Sequence, residues 1–182
     1  MALYMFFYAV PNEHLEFLRD NPALFDAYLA GEVPELKQGF LSRILGKEPP
    51  ELPGDWPDHA LDAWSSEINH RQVKAFHYIL NGQSGLVDDV GCVFQSWLKP
   101  RHASPAIVID GENFAFSCSN TRLLLEMLEG LTPELMGDRL RESGQEAEIP
   151  GGASFVESAF EEFVGVCRQV LSKGQGVLWS SR

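Results

Sequence analysis

The sequence is poor in basic residues and has no dense cluster of them. It contains 14 Lys and Arg against 26 Asp and Glu, which gives a formal net charge of −12. Nucleic acids and anionic lipids attract clustered Lys and Arg through their phosphates. The longest basic stretch is Lys99-Pro100-Arg101-His102, which is too short to form such a cluster. We therefore expect the protein to bind neither nucleic acid nor a membrane surface.

Cysteine is also scarce. The three cysteines, Cys92, Cys118 and Cys167, form no CxxC or CxxH pair, and their odd number fits no disulfide framework. This predicts free, mostly buried thiols in a reducing compartment. The apolar opening segment, MALYMFFYAV, is short and lacks both a basic leader and a cleavage site, so we expect no signal peptide. Together these features predict a cytoplasmic location.

Motifs for metals, phosphates and cofactors are missing as well. Gly82 and Gly85 have phosphate-loop spacing in part, but no Gly-Lys-Ser/Thr follows them. Asp88 and Asp89 lack the further oxygen ligands that a calcium loop requires. The sequence therefore predicts no structural metal and no cofactor.

What the sequence does contain is enough apolar surface for one domain, which we expect to span residues 1–182. Runs of β-branched and aromatic residues bounded by turn residues predict strands; they cover Leu3–Val10, Val90–Trp97, Ala106–Ile109, Phe114–Cys118 and Gly176–Ser180. The dipeptide Asp110-Gly111, between two of these runs, predicts a hairpin. Helical spacing and capping residues predict helices; they cover Asn12–Arg19, Pro22–Ala30, Pro34–Leu45, Asp58–Leu80, Thr121–Glu129, Pro133–Arg141 and Phe155–Lys173. The predicted caps are Asn12, Asn21, Ser119 or Asn120, Thr132 and Ser154. The fold class is α+β, with several helices packed on a small mixed or antiparallel sheet that contains both terminal strands.

The longest of these predicted helices covers Asp58–Leu80. Apolar residues recur along it at helical spacing; they are Leu61, Trp64, Ile68, Ala75 and Ile79. This stripe predicts that Trp64 is a core residue and not a ligand platform.

Four stretches of the chain resemble the YfbM-like family of small bacterial proteins of unknown function. They are the opening strand with EHLEFLRDNPALFDAYLAGE, the segment VKAFHYILNG, the helix pair from Thr121 to Arg141, and the long helix that ends in GQGVLWSS. The family has Trp and His where this sequence has Val73 and Lys74, and only His77 matches the second His. The resemblance implies an α+β fold and supplies no activity.

His77 is the first candidate site residue, because the resemblance also points to it. His70 and His77 are seven residues apart, about 10 Å along a helix, which is too far for one metal ion. A ligand cleft near His77 could include Tyr78 and Cys118, the latter at a helix start where a thiol pKa can fall. The simpler interpretation is a solvated polar helix face and an inert buried cysteine.

The second candidate site is an acidic surface. Between Glu126 and Glu162 there are ten acidic residues and two basic ones. A docking face for a basic protein would use six of them: Glu126, Glu129, Glu134, Asp138, Glu161 and Glu162. A solvated helix surface is the simpler interpretation. We hypothesise a non-enzymatic protein-binding module, such as an immunity-like protein that neutralises a basic partner; the alternative is a small-molecule binder or enzyme with a cleft near His77.

Overall fold

The two terminal strands pair with each other inside an antiparallel sheet. The structure, a computed structural model, describes residues 4–34, 51–57, 61–69, 71–84 and 106–181. Strand β1 (Tyr4–Val10) runs antiparallel to β5 (Gly176–Ser181), in a register from Met5 opposite Ser181 to Val10 opposite Gly176. Both were predicted as strands of one sheet, and that prediction is confirmed.

Three further strands complete the sheet within the described residues. They are β2 (Ala63–Asn69), β3 (Ile107–Val108) and β4 (Asn113–Phe116), and the order across the sheet is β2-β1-β5-β4-β3. Every pairing is antiparallel. The predicted hairpin around Asp110-Gly111 is confirmed, and the Asp110 carboxylate closes it by accepting the backbone N–H groups of Glu112 and Asn113, each at 2.8 Å.

Helices cover both faces of this sheet, because alternate strand residues point to opposite sides. Val177 and Trp179 join the larger core, whereas Leu178 between them joins a smaller one. The larger core is covered by α3 (Val73–Asn81), α4 (Cys118–Glu129), α5 (Pro133–Ser143) and α6 (Gly152–Ser172). The smaller core is covered by α1 (Asn12–Asp20) and α2 (Phe25–Ala30). The predicted α+β class, with terminal strands in the sheet, is confirmed.

The prediction of one helix over Asp58–Leu80 was wrong. Ala63–Asn69 is strand β2, and α3 begins only at Val73. Trp64, Ser66 and Ile68 occupy every second position, so they would share one face of a strand. Trp64 and Ile68 are also four residues apart, which is helical spacing. Pairing with β1, which places Trp64 opposite Phe7, decides between the two. The side chain of Trp64 packs against the larger core, as predicted, but it lies at the margin and is only half-buried.

The structure confirms one predicted helix cap and differs from the prediction at other helix starts. Thr132 caps α5 as predicted, accepting the Leu135 N–H at 3.2 Å. Ser117 caps α4 by accepting the Asn120 N–H, in place of Ser119 or Asn120. α6 begins at Gly152, before the predicted cap Ser154.

Other predictions fall outside the described residues. They are most of the helix Pro34–Leu45, the strand Val90–Trp97, and the residues His70, Gly85, Asp88, Asp89, Cys92 and His102. Within the described ranges, no helix combines the length and apolar character that crossing a bilayer requires.

Candidate functional site: an acidic groove between three helices

Helices α4, α5 and α6 border an open groove on the side of the sheet that carries the larger core. Its volume is about 840 Å³. Apolar residues that belong to or border the larger core form its floor; they are Leu128, Leu131, Met136, Phe160 and Val164. We refer to this surface as the α4–α6 groove.

Three carboxylates line the α4–α6 groove: Glu129 from α4, and Glu157 and Glu161 from α6. Glu157 and Glu161 lie four residues apart, so they project from the same side of their helix. Among the described residues of the lining, Arg168 is the one cation, and its Nη2 donates to Glu129 Oε1 at 2.6 Å. With three negative charges and one positive charge, these described residues have a formal net charge of −2.

A second depression lies on the other side of α6, where this helix packs against β2. Its volume is about 520 Å³. The half-buried ring of Trp64 lines it together with Glu162 and Gln169 from α6. Gly165 lines both this depression and the α4–α6 groove. We refer to the second depression as the Trp64 depression.

The six acidic residues proposed for a docking face are divided among several surfaces. Glu129 and Glu161 line the α4–α6 groove, and Glu162 lines the Trp64 depression. Glu126 lines a smaller depression of about 370 Å³, which Arg139 also lines.

The remaining two of the six, Glu134 and Asp138, line neither the groove nor the two depressions described so far. Asp138 forms an exposed ion pair with Arg141. Glu134 lies in the first turn of α5, where a backbone N–H and the Thr132 hydroxyl lower the pKa of its carboxyl.

Sequence reasoning missed Glu157 and Trp64 as surface-site residues. The signal for Glu157 was present, since it precedes Glu161 by one helical turn. Trp64 was missed because we predicted a helix over this segment and interpreted Trp64 as part of its buried apolar stripe.

His77 and Tyr78 lie on α3, whereas Cys118 lies at the start of α4. His77 is buried on α3 with 2% of its surface exposed, and burial lowers the pKa of its imidazole. Tyr78 follows it and is half-buried. α3 packs against α5, whereas Cys118 begins α4, which packs against α6 and β5.

Cys118 is held at its backbone by another element: its N–H donates to Asn12 Oδ1 at 2.8 Å. Asn12 thus binds the start of α4, although we expected its side chain to cap α1, where no side-chain cap forms. Neither His77, Tyr78 nor Cys118 lines the α4–α6 groove, the Trp64 depression or the smaller depression at Arg139.

A fourth depression has cationic side chains. Arg71 and Lys74, at the start of α3, line it opposite the loop from Gly144 to Glu148. Among the residues that the structure describes, no group of three His, Cys, Asp or Glu side chains is placed to hold a metal ion.

An antiparallel sheet built around paired terminal strands, with helices on both faces, defines the protein as a two-sided α+β fold. No family model and no curated protein matches the sequence. A solved structure does match: YfbM from Escherichia coli, described as a protein of unknown function, with 14% sequence identity and a TM-score of 0.51. The match covers 98% of this chain and 99% of that chain. The chain therefore has a YfbM-like fold, as the sequence resemblance implied, and this likeness concerns the fold alone.

Proposed function

We propose that this protein is a non-enzymatic binding module whose α4–α6 groove receives a cationic segment of another protein, as an immunity-like protein would when it neutralises a basic partner. The observation that carries the proposal is the combination of an apolar floor with carboxylates on the walls. The half-buried side chains of Leu131 and Val164 offer apolar contact area, and Glu129, Glu157 and Glu161 also line the groove. A segment carrying both apolar and basic side chains is complementary to this lining.

The shape of the groove also favours a polypeptide over a small molecule. Small-molecule sites bury most of the ligand and bring a few polar groups to one point. The α4–α6 groove is open along the helices, and its carboxylates are spread along both walls, with Glu129 on α4 facing α6. Such a distribution suits several separate cations on one chain.

The net charge of the whole molecule supports the same partner. At −12, the protein attracts cationic proteins over distances of about a Debye length, roughly 8 to 10 Å at physiological salt. Charge complementarity acts mainly on the rate of encounter. The groove would then add the contacts that hold the partner in place.

The test is a charge-reversal pair with a matched control. Glu157→Lys with Glu161→Lys reverses two groove carboxylates, whereas Glu142→Lys with Glu146→Lys makes the same change in net charge at exposed residues outside the groove lining. Proteins retained by the wild type from a bacterial extract are identified by mass spectrometry. Each is then purified, and its association rate with the three forms is measured by surface plasmon resonance over a range of salt concentrations.

We expect the groove variant to lower the association rate by about tenfold or more at low salt, and the control to lower it by less than about threefold. Raising the salt concentration should reduce the wild-type rate and bring the three forms closer together. Equal rates for both variants would show that the groove is not the docking site, and a wild-type rate indifferent to salt would refute a cationic partner.

A further inference from the structure

Gly165 connects the α4–α6 groove with the Trp64 depression. It is the residue of α6 that both linings share. The residues of this helix that line the groove are Glu157, Phe160, Glu161, Val164, Gly165 and Arg168, and those that line the depression are Glu162, Gly165, Val166 and Gln169. The two sets are adjacent on the helix surface, so a chain lying in the groove can reach the depression only by crossing α6.

Packing among the described residues does not explain why this position is glycine. A Cβ atom built on Gly165 meets no described atom within 4 Å, and the position is half-buried inside a helix of 21 residues. Glycine in a helix interior lowers stability by roughly 0.5–1 kcal/mol relative to alanine. Because glycine has no side chain, however, no atoms project from α6 at the point where the groove and the depression meet.

The Trp64 depression has the chemistry of an arginine site. Three of its lining residues, Trp64, Glu162 and Gln169, supply an aromatic ring, a carboxylate and an amide carbonyl. A guanidinium group stacks on aromatic rings and binds carboxylates through its fork of N–H donors. Lysine, a compact and strongly hydrated cation, does so less well.

Resting on the function proposed above, we propose that the cationic partner crosses α6 at Gly165 and places an arginine side chain between Trp64 and Glu162. The α4–α6 groove then binds the rest of the segment through its carboxylates and apolar floor. The partner is thereby specified further: its segment carries an arginine next to apolar residues, and lysine does not replace that arginine without loss of affinity.

The experiment uses two fluorescein-labelled peptides, one in which Arg and Leu alternate and one with Lys in place of every Arg. Binding to the full chain is measured by fluorescence anisotropy at low ionic strength. Three variants alter the proposed crossing: Gly165→Gln raises the surface at the crossing, Trp64→Leu removes the aromatic face, and Glu162→Gln removes the charge. Gly137→Gln is the control, because Gly137 is a half-buried helix glycine outside both linings, where an added Cβ would meet Ala153 and Arg141 only at the ordinary contact distance of 3.8 Å.

We expect the wild type to bind the Arg peptide about threefold to tenfold more tightly than the Lys peptide. Trp64→Leu and Glu162→Gln should each reduce this preference, and Gly165→Gln should weaken binding of the Arg peptide while Gly137→Gln does not. We expect Glu162→Gln to fold as the wild type does, since it changes one exposed side chain. A lower preference for the Arg peptide in this variant is therefore not caused by unfolding.

The outcomes separate the two proposals. If Glu157→Lys with Glu161→Lys abolishes binding while the Trp64, Glu162 and Gly165 variants behave as the wild type, the crossing is refuted and the groove remains the docking site. If the groove variant binds both peptides as the wild type does, or the wild type binds neither, the proposed function fails and the crossing fails with it. Equal affinity of the wild type for the two peptides would also overturn the arginine site.

Discussion

His14 and Tyr28 form a hydrogen-bonded pair inside the smaller core, with His14 Nδ1 2.8 Å from the Tyr28 hydroxyl. Their rings meet edge to face at 5.6 Å, and Tyr28 meets the ring of Trp56 in the same way at 5.0 Å. The Trp56 Nε1–H donates to the carbonyl oxygen of Glu32 at 2.8 Å. This series of contacts joins α1, α2 and the segment 51–57 on the sheet face opposite the α4–α6 groove. Burial lowers the pKa of His14 and raises that of Tyr28, so the fold favours the neutral form of both.

The first prediction concerns the pH dependence of stability. His14 and His77 both have a pKa lowered by burial from the usual value of 6.5. In the unfolded chain they take up protons near pH 6.5, and in the folded chain only at lower pH. Their contribution is therefore complete above pH 6.5 and is lost as the pH falls through the lower folded-state values. Urea unfolding at a series of pH values should show the free energy of unfolding decreasing below pH 6.5.

The matched comparison is the double variant His14→Gln with His77→Gln. Its free energy of unfolding should fall less steeply than that of the wild type between about pH 6.5 and 5, above the range where ordinary carboxyl groups titrate. Identical slopes for the two proteins in this range would contradict the assignment.

The second prediction concerns Gly176, the first residue of β5. A Cβ atom there would lie 2.4 Å from the carbonyl oxygen of Phe116 and 2.8 Å from Leu15 Cδ1. Because the nearer atom is backbone, Gly176→Ala requires the strands to move apart. We expect it to destabilise the protein by about 1–3 kcal/mol or more, as overpacking does, measured by chemical denaturation. Gly111→Ala is the control, since a Cβ there meets no described atom within 4 Å, and an equal loss in both variants would refute the argument.

The third prediction concerns Arg139, which caps the end of α3 from the neighbouring helix. Its Nη1 donates to the carbonyl oxygens of Ile79 at 2.7 Å and Leu80 at 3.1 Å. Charged donors at the last carbonyls of a helix satisfy groups that have no intrahelical partner. Arg139→Ala should therefore lower the free energy of unfolding by about 1.5–3 kcal/mol, and hydrogen exchange should accelerate at the end of α3.

Arg141→Ala is the control for this prediction, because it removes the same residue type from the same helix. Arg141 forms an exposed ion pair with Asp138, and such pairs contribute about 0–1 kcal/mol. If Arg141→Ala proves as damaging as Arg139→Ala, the capping role is wrong.

The fourth prediction compares two tryptophans. Trp179 is 1% exposed and packs against Phe114 at 5.3 Å, Phe163 at 5.6 Å and Phe7 at 4.7 Å. Trp64 is half-buried at the margin of the same core. Trp179→Ala should cost about 3–5 kcal/mol, the range for a fully buried aromatic residue, and Trp64→Ala clearly less. Thermal and urea unfolding of both variants would check this, and a larger loss for Trp64 would contradict the burial pattern.

Much of the architecture could be predicted from local sequence because the local signals agreed with each other. The terminal strands combine β-rich composition with bounding turn residues, and Asp110-Gly111 closes a hairpin between two such runs. Thr132-Pro133 marks the start of α5 through a cap and a proline at the first helical position. The apolar stripe Phe155, Ala159, Phe163, Val166 and Val170 of α6 was also predicted; the last four are buried, whereas Phe155 is half-buried at the edge of the core.

The segment around Trp64 shows where local information was insufficient. Its apolar residues fit a helix and a strand equally well, and only pairing with β1 selects the strand. The same limit applies to the groove. The sequence determined that the residues from Glu126 to Glu162 are strongly acidic, and that their helices are amphipathic. Only the tertiary structure decided which carboxylates meet across an apolar floor, because the angles at which α4, α5 and α6 pack depend on contacts between residues far apart in the chain.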